Sequence, residues 1–136
     1  MDIVSIEKVR SLWENHPLDV REVVFTPEEL KTLKSKNIMS ARSLKRLTSH
    51  QARYLATRFA AKEATIKVLG LDCQTKYELK NIEVLGTGAL TIRLTGVLHL
   101  SANLKGIRRL IGSCSSTKQE AIAIVIGEQE NEHSTD

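Results

Sequence analysis

One glutamate near the middle of the chain lies in a predicted helix among small and apolar residues. Glu63 belongs to the segment 58–70, and residues three, four and seven positions apart share one face of an α-helix. The face that contains Glu63 also carries Leu55, Ala56, Phe59, Ala60, Ile66 and Gly70. We therefore expect Glu63 to point toward the core, where a carboxylate must be paired, protonated or bound to a metal.

A second acid, Asp2, opens an apolar stretch far upstream and is a candidate partner of Glu63. Two carboxylates that share a divalent cation are suited to phosphoryl or pyrophosphate chemistry. Structural roles are open for both acids as well. Glu63 could pair with Lys67, four residues further along the helix, and Asp2 could cap a predicted helix over residues 3–13.

A polar segment, Ser113–Lys118, separates two apolar runs near the end of the chain. Its hydroxyl groups, backbone amides and lysine could form a phosphate cradle, and an ordinary turn would have the same composition. The sequence does not favour Cys114 in this segment as a nucleophile, because no histidine lies close to it in sequence.

Basic residues are concentrated between positions 31 and 53, and they either form a solvated face or dock an acidic partner. They are Lys31, Lys34, Lys36, Arg42, Lys45, Arg46, His50 and Arg53. A small nucleic-acid-binding domain is the least favoured alternative, because aromatic residues make up only 4% of the chain and no nucleic-acid motif is recognised.

The chain has the size of one ordinary domain, with 136 residues of which 41% are hydrophobic. Two cysteines without metal-ligand spacing, and the lack of a secretion signal or a membrane-spanning run, predict a cytoplasmic protein. We place a folded domain at residues 1–127 and a disordered acidic tail at 128–136. Since the whole chain carries +4 and this tail −4, residues 1–127 carry +8 and favour anionic partners.

The predicted elements change from helices to strands along the chain. Pro17 should end the helix over residues 3–13, and residues 20–25 read as extended. Two capping boxes, at Thr26–Glu29 and Thr48–Gln51, should open a helix to about residue 35 and the long helix to Gly70. Strands at 81–85, 90–94, 110–115 and 121–126, with a small helix at 97–105, complete an α+β fold. In this fold the long helix packs on a small antiparallel β-sheet.

Several segments together resemble the holo-acyl-carrier-protein synthase family of 4′-phosphopantetheinyl transferases. The most specific is Arg58–Ala64, which with Lys67 and Gly70 is similar to the family's signature helix. The resemblance extends over residues 2–126 and is also carried by Asp2–Val9, Phe25–Leu30, Asn81–Val84 and Ala121–Val125. The resemblance implies the 4′-phosphopantetheinyl transferase fold.

The resemblance also implies an activity. Such enzymes transfer 4′-phosphopantetheine from coenzyme A to a serine of an apo acyl carrier protein. By resemblance, Asp2 and Glu63 would hold Mg²⁺ on the coenzyme A pyrophosphate, Glu63 would help to deprotonate the serine, and Lys67 would steady the phosphates.

Further residues take roles only through this resemblance. Coenzyme A would be bound by Arg58, Lys67, Gly70, Ser115, Ser116 and Thr117. The acidic carrier protein would dock on Lys8, Arg10 and Arg21. Family members of this size are homotrimers with sites between subunits.

The chain departs from the family pattern at Ser116, where the family has a histidine that helps to bind coenzyme A. This departure motivates an alternative from another functional class. In that alternative the chain is a divergent, non-catalytic relative that binds coenzyme A or a carrier protein without turnover.

Overall fold

The computed structural model of the protein describes residues 1–33, 46–71 and 77–129. Five α-helices and five β-strands lie in these ranges, with a 3₁₀ turn at Leu79–Asn81 before the second strand. In chain order they are β1 (Asp2–Ser5), α1 (Ile6–Asn15), α2 (Pro17–Val24), α3 (Pro27–Lys31), α4 (Ser49–Leu69), β2 (Ile82–Leu85), β3 (Ala89–Leu94), α5 (Gly96–Leu104), β4 (Ile107–Ser116) and β5 (Glu120–Gln129).

The five strands form one antiparallel sheet in the order β1-β5-β4-β3-β2. The first strand therefore lies at one edge, next to the last strand, and Asp2 pairs with Ala123. Inward and outward residues alternate along β5, where Ala121, Ala123 and Val125 are buried. This pairing fixes the N-terminal strand beside the last strand of the chain.

The long helix α4 lies across the inner face of the sheet. Its C-terminal half packs with strand residues such as Leu90, Leu110 and Val125, and its N-terminal half packs against α1 and the helices that follow. Trp13 and Leu55, both 0% exposed, are part of the second cluster. The arrangement confirms the predicted α+β class and the long helix on a small antiparallel sheet.

Both predicted capping boxes are present, and each sets the start of a helix. Thr26 and Glu29 exchange side-chain and backbone hydrogen bonds at α3, and Thr48 and Gln51 do the same at α4. At the other end of α4, Gly70 has φ 56°, a left-handed conformation that favours glycine. The four later strands and the small helix also lie where the sequence predicts them.

The predictions for residues 3–25 were partly wrong. Residues 2–5 form β1 instead of the start of a helix, since pairing with β5 overrides the helical spacing of Ile3 and Ile6. The cap of α1 is Ser5, whose hydroxyl accepts a hydrogen bond from the Lys8 amide at 3.3 Å, so the alternative role of Asp2 as a cap is also wrong. Pro17 begins α2, which occupies the range predicted as extended, because proline is favoured in the first turn of a helix.

Two further predictions concern the C-terminal tail and the basic segment. Strand β5 continues to Gln129, so the predicted domain end at residue 127 falls inside a strand, and Glu128 pairs with Arg109 at 2.7 Å. The rest of the predicted tail, and the basic residues Lys34, Lys36, Arg42 and Lys45, lie outside the described residues. Among the helices of the described ranges, none combines the length and apolar character that crossing a bilayer requires.

Candidate active site

Asp2, Glu63 and Lys67 come together where the edge strand β1 passes the C-terminal half of α4. Lys67 Nζ lies 2.8 Å from Asp2 Oδ1 and donates a second hydrogen bond to the Met1 carbonyl oxygen at 3.2 Å. Glu63 lies one turn before Lys67 on the same helix. Residues 65 positions apart in sequence are thus brought into contact by the pairing of β1 with β5.

The carboxylates of Asp2 and Glu63 are close enough to repel each other. Partial burial, and then the negative charge of Asp2, raise the pKa of Glu63, while Lys67 opposes the shift. Lys67 is the cation that faces both acids, and its side chain is 61% exposed while that of Asp2 is 16% exposed. The site therefore contains two acids of like charge and one exposed lysine ammonium.

This set of donors fits a hard divalent cation. Mg²⁺ is commonly held by one or two protein carboxylates, with water and substrate phosphate oxygens as the other ligands. In the described part of the chain no group of three or more histidine, cysteine or acidic side chains lies close enough to form a complete protein site. Asp2 and Glu63 are therefore suited to a cation that is shared with a phosphate-bearing substrate.

Glu63 is only half buried, so the prediction that it points into the core was wrong. The core-facing position belongs to its neighbour Lys62, which is 0% exposed. Leu55 and Leu69 are also 0% exposed, seven residues before and after Lys62, and this spacing marks the buried line of the helix. The same spacing was readable in the sequence, but the face through Glu63 also carries several apolar residues.

Lys62 is neutralised by Glu29, which sequence reasoning identified only as part of a capping box. The ion pair spans 2.7 Å, and Lys62 also donates to the Leu79 and Ile82 carbonyl oxygens at 3.0 and 2.5 Å. Burial lowers the pKa of Lys62, and the Glu29 carboxylate opposes that shift. This pair joins α3, α4 and β2 and holds the helix that carries Glu63 and Lys67.

Arg58, a predicted coenzyme A residue, lies elsewhere on α4. Its side chain is 3% exposed, stacks over the ring of Tyr54 at 4.4 Å and donates to the Gly86 carbonyl oxygen. Within one chain Arg58 does not join Asp2 and Glu63. Gly70 ends the helix one turn after Lys67, and its carbonyl oxygen accepts a hydrogen bond from Lys105 at 3.1 Å.

The three residues predicted to bind coenzyme A late in the chain occupy the end of β4 and the turn after it. Ser115 and Ser116 pair with Ile122 and Ala121 of β5 and alternate in exposure, so their side chains point to opposite faces of the sheet. The Thr117 hydroxyl accepts hydrogen bonds from the amides of residues 119 and 120 at 3.2 and 3.0 Å. In one chain this hydroxyl therefore organises the turn.

The predicted docking residues differ in accessibility. Lys8 is exposed on α1, whereas Arg10 is half buried and donates to the Leu47 carbonyl oxygen at 2.5 Å. Arg21 is 3% exposed, and its guanidinium stacks over the Trp13 ring at 4.2 Å. The position of Arg21 therefore suits packing between α1 and α2 better than contact with a partner.

A family model supports the reading of this site. The model of the 4′-phosphopantetheinyl transferase superfamily matches residues 1–125. The chain belongs to this superfamily. The match includes Asp2, Glu63 and Lys67, and the family predicted from the sequence motifs is confirmed.

Named relatives match this chain over most of their length, and those of known structure share its fold. A holo-[acyl-carrier-protein] synthase of Dehalococcoides mccartyi (strain CBDB1) is 34% identical over 131 residues, which cover 93% of this chain and 94% of the relative. The crystal structure of the synthase of Neisseria meningitidis matches with a TM-score of 0.72 and 27% identity, over 94% of both chains. The Helicobacter pylori synthase, solved in complex with coenzyme A, has the same fold, with a TM-score of 0.69, 23% identity, and coverage of 93% of this chain and 96% of that one.

Proposed function

We propose that the protein is a cytoplasmic, Mg²⁺-dependent holo-acyl-carrier-protein synthase. It would transfer 4′-phosphopantetheine from coenzyme A to a serine of an apo acyl carrier protein. The observation that carries the proposal is the convergence of Asp2, Glu63 and Lys67 between β1 and α4. The names of the relatives agree with it, since they are holo-[acyl-carrier-protein] synthases.

Asp2 and Glu63 are the residues that would hold the metal against the coenzyme A pyrophosphate. When bound, Mg²⁺ would supply positive charge that offsets the charge developing on the leaving phosphate. Burial and the charge of Asp2 raise the pKa of Glu63, and a divalent cation between the two carboxylates would offset both effects.

The same three side chains fit the transfer step. The serine hydroxyl of the carrier protein would attack the phosphorus atom that bears the pantetheine arm, and the bond from that phosphorus to the bridging oxygen would break. Adenosine 3′,5′-bisphosphate leaves with the bridging oxygen. Glu63, directly or through a water molecule, would accept the serine proton, and the Lys67 ammonium would donate hydrogen bonds to the phosphate oxygens.

The surface around α1 fits an acidic carrier protein. Lys8 is exposed there, Arg10 lies two residues further along the helix, and residues 1–127 carry a net charge of +8. A basic surface speeds encounter with an acidic protein and orients it. We propose that Lys8 and Arg10 contact the carrier protein.

A homotrimer with sites between subunits is part of the proposal, and an apolar patch on the outer sheet face supports self-association. Ile124 and Ile126 of β5 are 48% and 56% exposed, and Ile3 of β1 is 49% exposed beside Ile122. Contiguous exposed apolar surface marks interaction sites. In a trimer with sites between subunits, the turn after β4 of one chain would serve the site of another, whereas the buried Arg58 would act within its own chain.

The non-catalytic alternative remains a second candidate because of Ser116. This residue occupies the family's histidine position, and its half-buried hydroxymethyl side chain cannot replace the imidazole of a histidine. In that case the chain would bind coenzyme A or a carrier protein without turnover.

The deciding experiment is a transfer assay with purified protein, coenzyme A, Mg²⁺ and several apo carrier proteins, followed by intact mass. We expect the carrier protein to gain the phosphopantetheine mass, and Glu63→Gln to abolish the gain while the fold is retained. Chelation of the metal should have the same effect as Glu63→Gln. If no carrier protein is modified by the natural chain but Ser116→His restores transfer, the non-catalytic alternative is correct.

A further inference from the structure

A basic cleft lies at the N-terminal ends of the two helices α1 and α4, next to the turn between β4 and β5. Its volume is about 500 Å³, which is in the range of small-molecule sites. Three cationic side chains line it, Arg10, Arg53 and Lys118, against one carboxylate, Glu7. Ser5 and Ser49 place hydroxyl groups on its walls.

The cations of this cleft have unused hydrogen-bonding capacity. Arg53 Nε is buried and has no hydrogen-bond partner among the described residues. Lys118 is exposed and forms no ion pair with any residue in the described ranges. The Nε of Arg53 is therefore a donor in the cleft that is available to the acceptor of a ligand.

The positions of the two helices add to the attraction for an anion. Ser49 is the first residue of α4, and Ser5 caps α1, so the positive ends of both helix dipoles face this region. Only Glu7 opposes them, and it pairs with Arg10 at 3.5 Å. The cleft thus combines three side-chain cations with two helix N-termini.

The cleft is separate from the site of the proposed transfer reaction in the same chain. Arg53 precedes Glu63 by ten residues on α4, which corresponds to about 15 Å along the helix axis. Ser5 and Asp2 likewise lie at opposite ends of β1. One phosphate group cannot contact both places.

We propose that this cleft binds the phosphate group of a small anionic molecule. Arg53 and Lys118 would donate charge-assisted hydrogen bonds to the phosphate oxygens, with Ser5 and Ser49 as neutral donors. The proposal rests on Arg53 and Lys118, to which the proposed transfer step assigns no role, whereas Arg10 also belongs to the proposed docking surface.

The test is a calorimetric titration of the full chain with inorganic phosphate, together with an NMR titration that follows the Arg53 Nε–H signal. We expect saturable binding that shifts this signal. Arg53→Gln and Lys118→Gln should each weaken binding about tenfold or more, since each removes one charge-assisted donor. Arg108→Gln is the matched control, because this exposed arginine begins β4, at the end of the strand remote from the turn.

Lys118→Gln alters an exposed turn residue, so it keeps the test valid even if Arg53→Gln perturbs α4.

The phosphate group could belong to coenzyme A or to a separate small molecule. Titrations with coenzyme A and dephospho-coenzyme A distinguish the two sources. If Lys118→Gln weakens the binding of coenzyme A but not of dephospho-coenzyme A, the cleft binds the 3′-phosphate of coenzyme A. If Lys118→Gln leaves the affinity for both compounds unchanged while it weakens phosphate binding, the cleft binds a separate molecule. The proposal is overturned if phosphate does not bind, or binds equally to both variants and the natural chain. Neither result would affect the transfer assay.

Discussion

Lys62 and Glu29 form an ion pair of 2.7 Å in which neither side chain is exposed to solvent. The remaining hydrogen-bonding groups of the pair are also used. Glu29 accepts hydrogen bonds from the backbone amides of Thr26 and Val84, both at 2.9 Å. A buried charge is tolerated when it is paired and hydrogen-bonded in this way, and it becomes costly when its partner is removed.

We therefore expect Lys62→Met to destabilise the protein strongly. The methionine fills a similar volume but leaves the Glu29 carboxylate buried without its counter-charge. The free energy of unfolding should fall by about 3–5 kcal/mol, as measured by urea denaturation. Lys80→Met is the matched control, because the Lys80–Glu78 pair is solvent-exposed and should contribute less than about 1 kcal/mol.

The double variant Lys62→Met/Glu29→Gln separates the pair from the packing of the lysine. Its loss of stability should be smaller than the sum of the two single losses, because the stranded charge is absent. Additive losses would show that the two residues do not interact in solution as they do in the structure.

Glu63→Gln should have the opposite effect on the stability of the metal-free protein. Burial and the charge of Asp2 raise the pKa of Glu63 above its ordinary value of 4.5 in the folded state. A carboxyl with a raised folded pKa costs stability at pH values above its unfolded pKa, so the natural chain bears this cost at pH 7. That cost disappears as the pH falls through the folded pKa toward the unfolded value.

In a chelating buffer at pH 7, Glu63→Gln should therefore raise the melting temperature, and the difference should vanish near the ordinary pKa of 4.5. Glu78→Gln, at an exposed position, is the control for the substitution itself. A melting temperature that is lower than that of the natural chain at pH 7 would contradict the shift. Added Mg²⁺ should favour the natural chain, since the variant lacks one of the two carboxylates.

Local signals in the sequence predicted the boundaries of the long helix well. The capping box of Thr48 and Gln51 and the left-handed Gly70 involve only residues close in sequence. The ends of α4 could therefore be predicted without knowledge of the rest of the fold. Strands with alternating residues and a glycine turn, such as 81–85 and 90–94, were equally readable. These features follow from short-range backbone chemistry.

Long-range pairing accounts for what the sequence could not show. Residues 2–5 become a strand because they hydrogen-bond to residues 120–123, and that contact also fixes Asp2 near α4. The buried face of α4 was predicted to pass through Glu63 instead of Lys62. Two faces of the helix carry apolar residues, and only the distant Glu29 shows how a buried Lys62 is neutralised. Asp2 was a candidate partner of Glu63 from the sequence, and the family resemblance gave the two acids a shared metal.

The exposed isoleucines of the outer sheet face give a prediction for assembly. Ile124→Lys places a charge in the centre of this patch and should shift the protein from an oligomer to a monomer in size-exclusion chromatography with light scattering. Leu104→Lys is the control, because Leu104 is 88% exposed on α5, away from the patch. An unchanged mass for Ile124→Lys would exclude this face as the interface, and a monomeric natural chain would refute the trimer.

Lys67 lies on the same helix as Lys62, but it is exposed where Lys62 is buried. The lysine side chain of the Lys67–Asp2 pair is 61% exposed, although that of Asp2 is 16% exposed, so loss of the pair should change the free energy of unfolding by about 1 kcal/mol at most. In the proposed reaction, however, Lys67 donates to phosphate oxygens whose charge grows in the transition state. Removing one such donor from a transition state lowers turnover by about 10²–10³-fold.

Lys67→Met should consequently retain the natural melting temperature and lose about 10²-fold or more in the rate of transfer to the carrier protein. Lys67→Arg should recover part of that rate, since it keeps the charge with a different geometry. Lys80→Met, an exposed lysine remote from Asp2 in the fold, should leave the rate unchanged. Natural turnover in Lys67→Met would show that its contact with Asp2 only ties the N-terminal strand to α4.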